Sequence, residues 1–199
     1  MKLLAKGAEA DVYEGSLVGM PAVFKIRKPK AYRVKVLDIS IRTSRTRKEA
    51  KLLGAAKGAA VRCPLVLLVG THEIVMSRIG GRLMMRMGKE KQRAISPSVG
   101  SLLAALHSAG ICHGDFTPAN VIVEKGVAWV IDFGLGDFTR EDEELATDVL
   151  LMKKSLHKQA YARFLRAYSK DRGRGAGATL KRLKEIEKRG RYVVRGALA

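Results

Sequence analysis

Two short segments carry the residue types that hold a divalent cation: His113-Gly114-Asp115-Phe116-Thr117-Pro118-Ala119-Asn120 and, a short way on, Ile131-Asp132-Phe133-Gly134. Asp115, Asn120 and Asp132 together offer two carboxylates and an amide. A small number of hard oxygen ligands, leaving room for phosphate oxygens, is what Mg2+ requires at a nucleotide site. Each of the three taken alone is equally an ordinary turn former, because Asp and Asn side chains bond readily to nearby backbone. What separates the two readings is whether the surrounding elements bring the three together.

Those elements can be read from spacing. Residues 3–4, 11–13 and 22–26 read as short strands parted by Gly15, Gly19 and Pro21, so a small antiparallel sheet opens the chain. From 45 to 57, Ala50, Leu52, Leu53 and Ala56 recur at helical spacing among Lys and Arg, placing Glu49 on a helix that Gly58 ends. A hairpin over 65–69 and 74–76 completes a strand-rich first lobe over 1–80. Ser96-Pro97 predicts a helix start, with an apolar stripe through Val99, Leu102, Leu103 and Leu106 until Gly110. Strands at 121–123 and 127–131 around Lys125-Gly126 set Asp115, Asn120 and Asp132 near the ends of one hairpin. A single long amphipathic segment to about Tyr168 completes a helical second lobe over 81–171, and 172–199 reads as a basic tail. His107, on the apolar face of its helix, reads as a core histidine, and His113 as a hydrogen-bonding brace for the loop it begins.

In order and spacing, this set resembles the protein-kinase catalytic core, whose loop pattern H-R-D-x-x-x-x-N is followed by two strands and D-F-G. The resemblance implies an α+β fold of two lobes, Asp115 as the residue that orients or deprotonates the phosphoryl acceptor, and Asn120 and Asp132 as Mg2+ ligands. Ala22-Val23-Phe24-Lys25 resembles the V-A-I-K strand. Lys25 then grips the α/β phosphates of ATP and pairs with Glu49. Gly7-Ala8-Glu9-Ala10-Asp11-Val12 stands where a glycine-rich phosphate loop is expected, with one glycine in place of three, so Gly7, Ala8, Glu9, Ala10 and Val12 are the candidate phosphate cover. Ile74-Val75-Met76-Ser77-Arg78-Ile79 resembles the inter-lobe hinge, with Met76 behind the adenine and Ser77 and Ile79 contacting it through backbone groups. Gly114 replaces the Arg that reads a phosphorylated activation loop, which argues against switching by loop phosphorylation. No A-P-E follows Gly134, and the expectation is a truncated second lobe without the usual substrate-binding half.

The chain has 199 residues, and 38 Lys and Arg against 19 Asp and Glu give a net charge of +19. With 47% hydrophobic residues it can bury an ordinary core, so the excess charge sits on a folded surface and attracts polyanions, nucleic acid foremost. Eleven basic and two acidic residues lie between Lys25 and Lys51, and nine basic and two acidic from Arg172 onward. Cys63 and Cys112 form no CxxC pair, and the four histidines have no zinc spacing. The longest apolar run, 65–69, is far below the ~20 residues of a membrane span, so a cytoplasmic protein without membrane partners is expected.

GAEA in the phosphate loop, HGDFTPAN, an intact IDFG and a basic end together resemble the small RIO-like bud-site-selection kinase/ATPase family of the KEOPS complex, across nearly the whole chain. That likeness implies an atypical Ser/Thr kinase or ATPase using ATP and Mg2+. It also implies a role in making threonylcarbamoyladenosine in tRNA, and partnership with the threonylcarbamoyltransferase and other KEOPS subunits. Arg189 and Arg191 match the family's basic C-terminal motif, implicated in contact with tRNA or partner. Two other readings stay open. One is a kinase-fold scaffold with vestigial chemistry; the other is a small-molecule phosphotransferase, since HGD followed by Asn also occurs in aminoglycoside- and choline-kinase-like enzymes.

Overall fold

Alternating polar and apolar residues at the start of the chain pair into a meander of β1 (Lys2–Lys6), β2 (Ala10–Leu17) and β3 (Met20–Arg27), joined in one antiparallel sheet by β5 (Glu73–Ser77) and the edge strand β4 (Val66–Val69) in the order β1-β2-β3-β5-β4. The computed structural model describes the backbone of residues 1–196 and side chains through Arg189. Helix α1 (Lys35–Gly58) packs on the sheet through Leu52, Leu53 and Ala56. It begins ten residues before the expected start at 45, because its first turns leave the apolar residues Val36, Leu37 and Ile39 exposed, so they mark no buried face.

The second half is mostly helical. Helix α2 (Lys89–Ser108) packs along α4 (Lys158–Arg172), and the small sheets β6-β8-β9 (Arg82–Leu83, Val121–Glu124, Val127–Val130) and β7-β10 (Ile111–Cys112, Asp137–Phe138) lie between α2 and the first sheet's helix. Pro97 sits inside α2 and not in its first turn, which corrects the expected start at Ser96. The Ser96 hydroxyl donates to the Gln92 carbonyl at 2.6 Å, an interior-helix bond and not a cap. The expected single segment to Tyr168 is two helices, α3 (Asp142–Ser155) and α4, broken where Leu156 and His157 turn extended. Residues 175–196, expected as part of a tail, form helix α5 (Gly175–Gly196), which packs on α3 with Ala176, Thr179 and Leu183 buried.

One apolar cluster runs through both halves, from Leu52 and Ile74 through Leu103, Leu106, Phe116 and Phe133 to Val149, Phe164 and Tyr168. Each such side chain, fully buried, contributes about 1.5–3 kcal/mol. The core therefore fixes the position of the sheet against the two polar segments that follow α2. The architecture is α+β, a strand-rich half followed by a helical one. Among the described residues, no helix is long and apolar enough to cross a membrane.

Candidate active site

Strand register builds one wall of the site. Val12 pairs with Lys25, Ala10 with Arg27, Lys25 with Ile74 and Val23 with Met76, so Ala10, Val12, Val23, Lys25, Arg27, Ile74 and Met76 share one face of the sheet. Lys25 and Arg27 are both buried there. Buried cations require partners, and α1 supplies one: Glu49 Oε1 accepts from Lys25 Nζ at 2.6 Å, while Glu49 Oε2 accepts from Arg27 at 2.6 Å. Arg27 was not among the expected site residues. Its signal was present in the sequence as a second cation two positions after Lys25, on the same strand face.

Lys25 Nζ also meets Asp132 Oδ1 at 2.7 Å. Asp132 stands at φ 61, a left-handed conformation that costs a non-glycine residue about 1–3 kcal/mol and marks functional sites when the surroundings hold it. Gly134 N–H donates to the same Oδ1 at 3.1 Å, and Phe133 is buried with its ring 5.0 Å from that of His113. Burial acts to raise the Asp132 carboxyl, but the Lys25 charge and hydrogen bond, with the Gly134 N–H, outweigh it and hold the group below its usual 3.8.

The segment from His113 to Asn120 is held from two sides. Asn120 Nδ2 donates to the Asp115 carbonyl and to Asp115 Oδ2, both at 2.8 Å, and Ile131 N–H donates to the Asn120 carbonyl at 3.0 Å, which sets Asn120 one residue from Asp132 across the strand. His113 Nε2 lies 3.0 Å from the Ile131 carbonyl, and Asp115 N–H donates to His113 Nδ1 at 3.3 Å, so the histidine does brace the loop. From beneath, Asp148 on α3 accepts from His113 N–H at 2.6 Å and from Gly114 N–H at 2.9 Å. Asp148 is fully buried, and its Oδ2 also contacts His107 Nε2 at 3.2 Å, while His107 Nδ1 pairs with the Tyr168 hydroxyl at 2.9 Å. Asp148 escaped the sequence reading because nothing local marks it; only packing of α3 beneath the loop gives it a role. Gly114 has φ 77, and a Cβ there would collide with the Leu135 carbonyl, so the kinase Arg has no room in this loop.

The remaining candidates fall in different places. Gly7 N–H donates to the Ala10 carbonyl at 2.9 Å, and a Cβ on Gly7 would lie 2.7 Å from that oxygen, so the turn over the site requires glycine. The Ala8 carbonyl is bound by Lys30, and Glu9 is drawn to Arg45 of α1 at 2.6 Å. Met76 is buried on the same face of the sheet as Lys25. Ser77 N–H donates to the Leu65 carbonyl at 2.8 Å and its hydroxyl accepts from Leu65 N–H at 2.9 Å, which leaves the Ser77 carbonyl as the backbone group it can offer a base. Ile79 follows just beyond the strand end. Arg189 lies elsewhere, 3.3 Å from Glu143 at the start of α3, and Arg191 falls outside the residues whose side chains are described. Cys63 and Cys112 are free and buried, and burial pushes both thiols up to about 11, away from nucleophilic chemistry.

The donor set fits a phosphate-bound Mg2+. Asn120 Oδ1 and Asp132 Oδ2 are hard oxygens left over by the bonds above. Among the described residues no cluster of three or more His, Cys, Asp and Glu is arranged to hold a metal, so phosphate oxygens and water would complete the coordination.

Residues 24–167 match the RIO domain. Over 98% of both chains, the sequence is 39% identical to a probable serine/threonine-protein kinase, the BUD32 homolog of Archaeoglobus fulgidus. This chain belongs to the Bud32 family of RIO-domain proteins. A second relative of the Bud32 family, the KEOPS complex subunit Bud32 of Pyrococcus abyssi, is 34% identical over 96% of each chain. The probable bifunctional tRNA threonylcarbamoyladenosine biosynthesis protein of Methanothermobacter thermautotrophicus is 38% identical over 96% of this chain, which spans only 36% of that relative's length. The fold of this Bud32-family chain is protein-kinase-like. It matches the Rio2 kinase-ADP/Mg2+-phosphoaspartate complex from Chaetomium thermophilum at TM-score 0.65, 15% identity and 94% of this chain against 72% of the other. An ADP-bound aminoglycoside phosphotransferase matches at TM-score 0.60, 14% identity and 91% against 80%. The RIO domain is that of the RIO-type atypical kinase family.

Proposed function

We propose that this protein binds Mg·ATP between its sheet and catalytic loop and transfers the γ-phosphoryl group to water or to a Ser/Thr hydroxyl. As a cytoplasmic KEOPS-type subunit, it supports threonylcarbamoyladenosine formation in tRNA through the threonylcarbamoyltransferase subunit. The observation that carries the reading is the position of Lys25 Nζ, 2.6 Å from Glu49 and 2.7 Å from Asp132. One cation bridges the helix and the metal-binding strand. The names of the Bud32 relatives support the tRNA part, and the ADP/Mg2+ complex of Rio2 supports the cofactor.

In this mechanism Glu49, itself fixed by Arg27, keeps Lys25 pointed into the cleft, where the ammonium exchanges Asp132 for phosphate oxygens. Asp132 and Asn120 would hold Mg2+, which would supply positive charge to the phosphoryl oxygens. Asn120 fixes one oxygen of Asp115, leaving the other to orient the acceptor and take its proton. Ala10, Val12 and Met76 pack around the base, Gly7, Ala8 and Glu9 cover the phosphates, and the Ser77 carbonyl and Ile79 N–H read the adenine edge. Arg189 and Arg191 contact tRNA or the partner.

The test is phosphate release from ATP by the purified chain, alone and with tRNA or the transferase. Stimulation by either partner is expected. Nucleotide binding without release under any condition would favour a kinase-fold scaffold, and efficient turnover on amino-sugar acceptors would favour a small-molecule phosphotransferase.

A further inference from the structure

Beside the active site, α1 and β10 enclose a groove of about 630 Å3. Ser40, Ser44, Arg47 and Lys51 line one wall at successive turns of α1, so a single strip of the helix presents two hydroxyls and two cations along about two and a half turns. All four are exposed. Lys48 is paired with Asp137 across the groove at 2.6 Å, but Arg47 and Lys51 have no ion-pair partner among the described residues. The opposite wall ends in Phe138, a half-exposed ring.

We propose that this groove docks the sugar-phosphate backbone of RNA, with Arg47 and Lys51 on successive phosphates, Ser40 and Ser44 hydrogen-bonded to the same chain, and one base against Phe138. The chemistry selects this occupant. The groove has a single apolar side chain, too little for a lipid surface, and it is concave where a bilayer is flat. Unpaired cations and hydroxyls with one aromatic face suit a phosphodiester chain with an unstacked base. Because β10 follows directly on Asp132-Phe133-Gly134, RNA seated there would lie against the segment that carries the metal ligand. The inference rests on the function proposed above only for the choice of probe.

The experiment measures binding of a fluorescently labelled tRNA transcript by anisotropy across a salt series. The double variant Arg47→Gln/Lys51→Gln should bind about tenfold more weakly at low salt and flatten the log–log salt slope by roughly one to two. Arg163→Gln/Arg166→Gln, the same charge removed from exposed positions on α4, should change the slope far less. Phe138→Ala should weaken binding severalfold with the slope unchanged, the mark of a stacking contact. Equal effects of the two double variants, no binding by the wild type, or displacement by polyglutamate as effective as by unlabelled RNA would each overturn the groove as an RNA site. Phosphate release from ATP without RNA is followed in parallel. It should be unchanged in all three variants, and its absence from the wild type would count against the enzyme reading and not against the groove.

Discussion

Lys25 and Asp132, 107 positions apart in the sequence, form a 2.7 Å ion pair that joins the first sheet to the strand end after the catalytic loop. The lysine is buried and the aspartate side chain is half exposed, so the pair lies at the mouth of the cleft with its cation fixed from behind by Glu49. One nitrogen atom thereby ties the first sheet to α1 and to Asp132.

Arg27 should matter as much to folding as Lys25 does to chemistry. Arg27→Ala leaves Glu49 Oε2 buried without its cation, and breaking a buried pair from one side costs about 3 kcal/mol. Urea denaturation measures this. A loss well under that figure would show that Lys25 alone satisfies Glu49.

Asp148 should act on the reaction through the loop it holds. Asp148→Ala removes the acceptor for His113 and Gly114 N–H groups and should destabilise by about 3 kcal/mol. In steady-state kinetics kcat should fall while the KM for ATP stays near its original value, because the wall that holds the nucleotide is untouched. A rise in KM alone would place Asp148 outside this role.

Gly114→Ala should destabilise by about 2 kcal/mol or more, since φ 77 and the Leu135 carbonyl both oppose a side chain. Gly114→Arg, which restores the usual kinase residue, should be worse still by thermal denaturation. Stability equal to the wild type in either variant would contradict the loop geometry.

Stability should fall on the acid side through His107. Burial pushes its pKa below the usual 6.5, only partly opposed by Asp148, so the folded protein keeps the ring neutral where the unfolded chain takes up a proton. Unfolding free energy then drops as pH falls below 6.5, at up to about 1.4 kcal/mol per pH unit until the folded pKa is reached. Denaturation curves across this range should show the slope, and His107→Asn should reduce it. An identical slope in the variant would assign the proton elsewhere.

Glu143 competes for the basic residues of α5. It pairs with Arg182, which Glu185 also holds at 2.8 Å, and with Arg189, so Glu143→Gln should free Arg189 and strengthen tRNA binding roughly threefold at low salt, the scale of an exposed ion pair. Filter binding with a tRNA transcript checks this. Unchanged affinity would mean that Arg189 does not meet RNA.

Much of this site was legible because its chemistry is local. HGDFTPAN and IDFG are contiguous, and strand alternation alone sets Lys25 inward, whereas the Lys25–Glu49 contact could be read only through a family likeness. Arg27 was legible in principle, as a second cation on the same strand face as Lys25. Asp148 and Glu143 were not legible, since both stand on a helix whose packing partners are remote in sequence. Helix ends failed where side chains gave no signal: exposed apolar residues hid the start of α1, polar first turns hid that of α2, and Ser96-Pro97 imitated a cap in mid-helix, where the Ser96 hydroxyl bonds back to Gln92.

The central claim is that Asp132 and Asn120 hold the metal that accompanies ATP. Titration calorimetry of ATP in the presence and absence of Mg2+ tests it most directly, with Asp132→Ala beside the wild type. The wild type should bind ATP far more tightly with Mg2+, and Asp132→Ala should lose that gain while still binding nucleotide through Lys25. An equal Mg2+ dependence in both proteins would contradict the account.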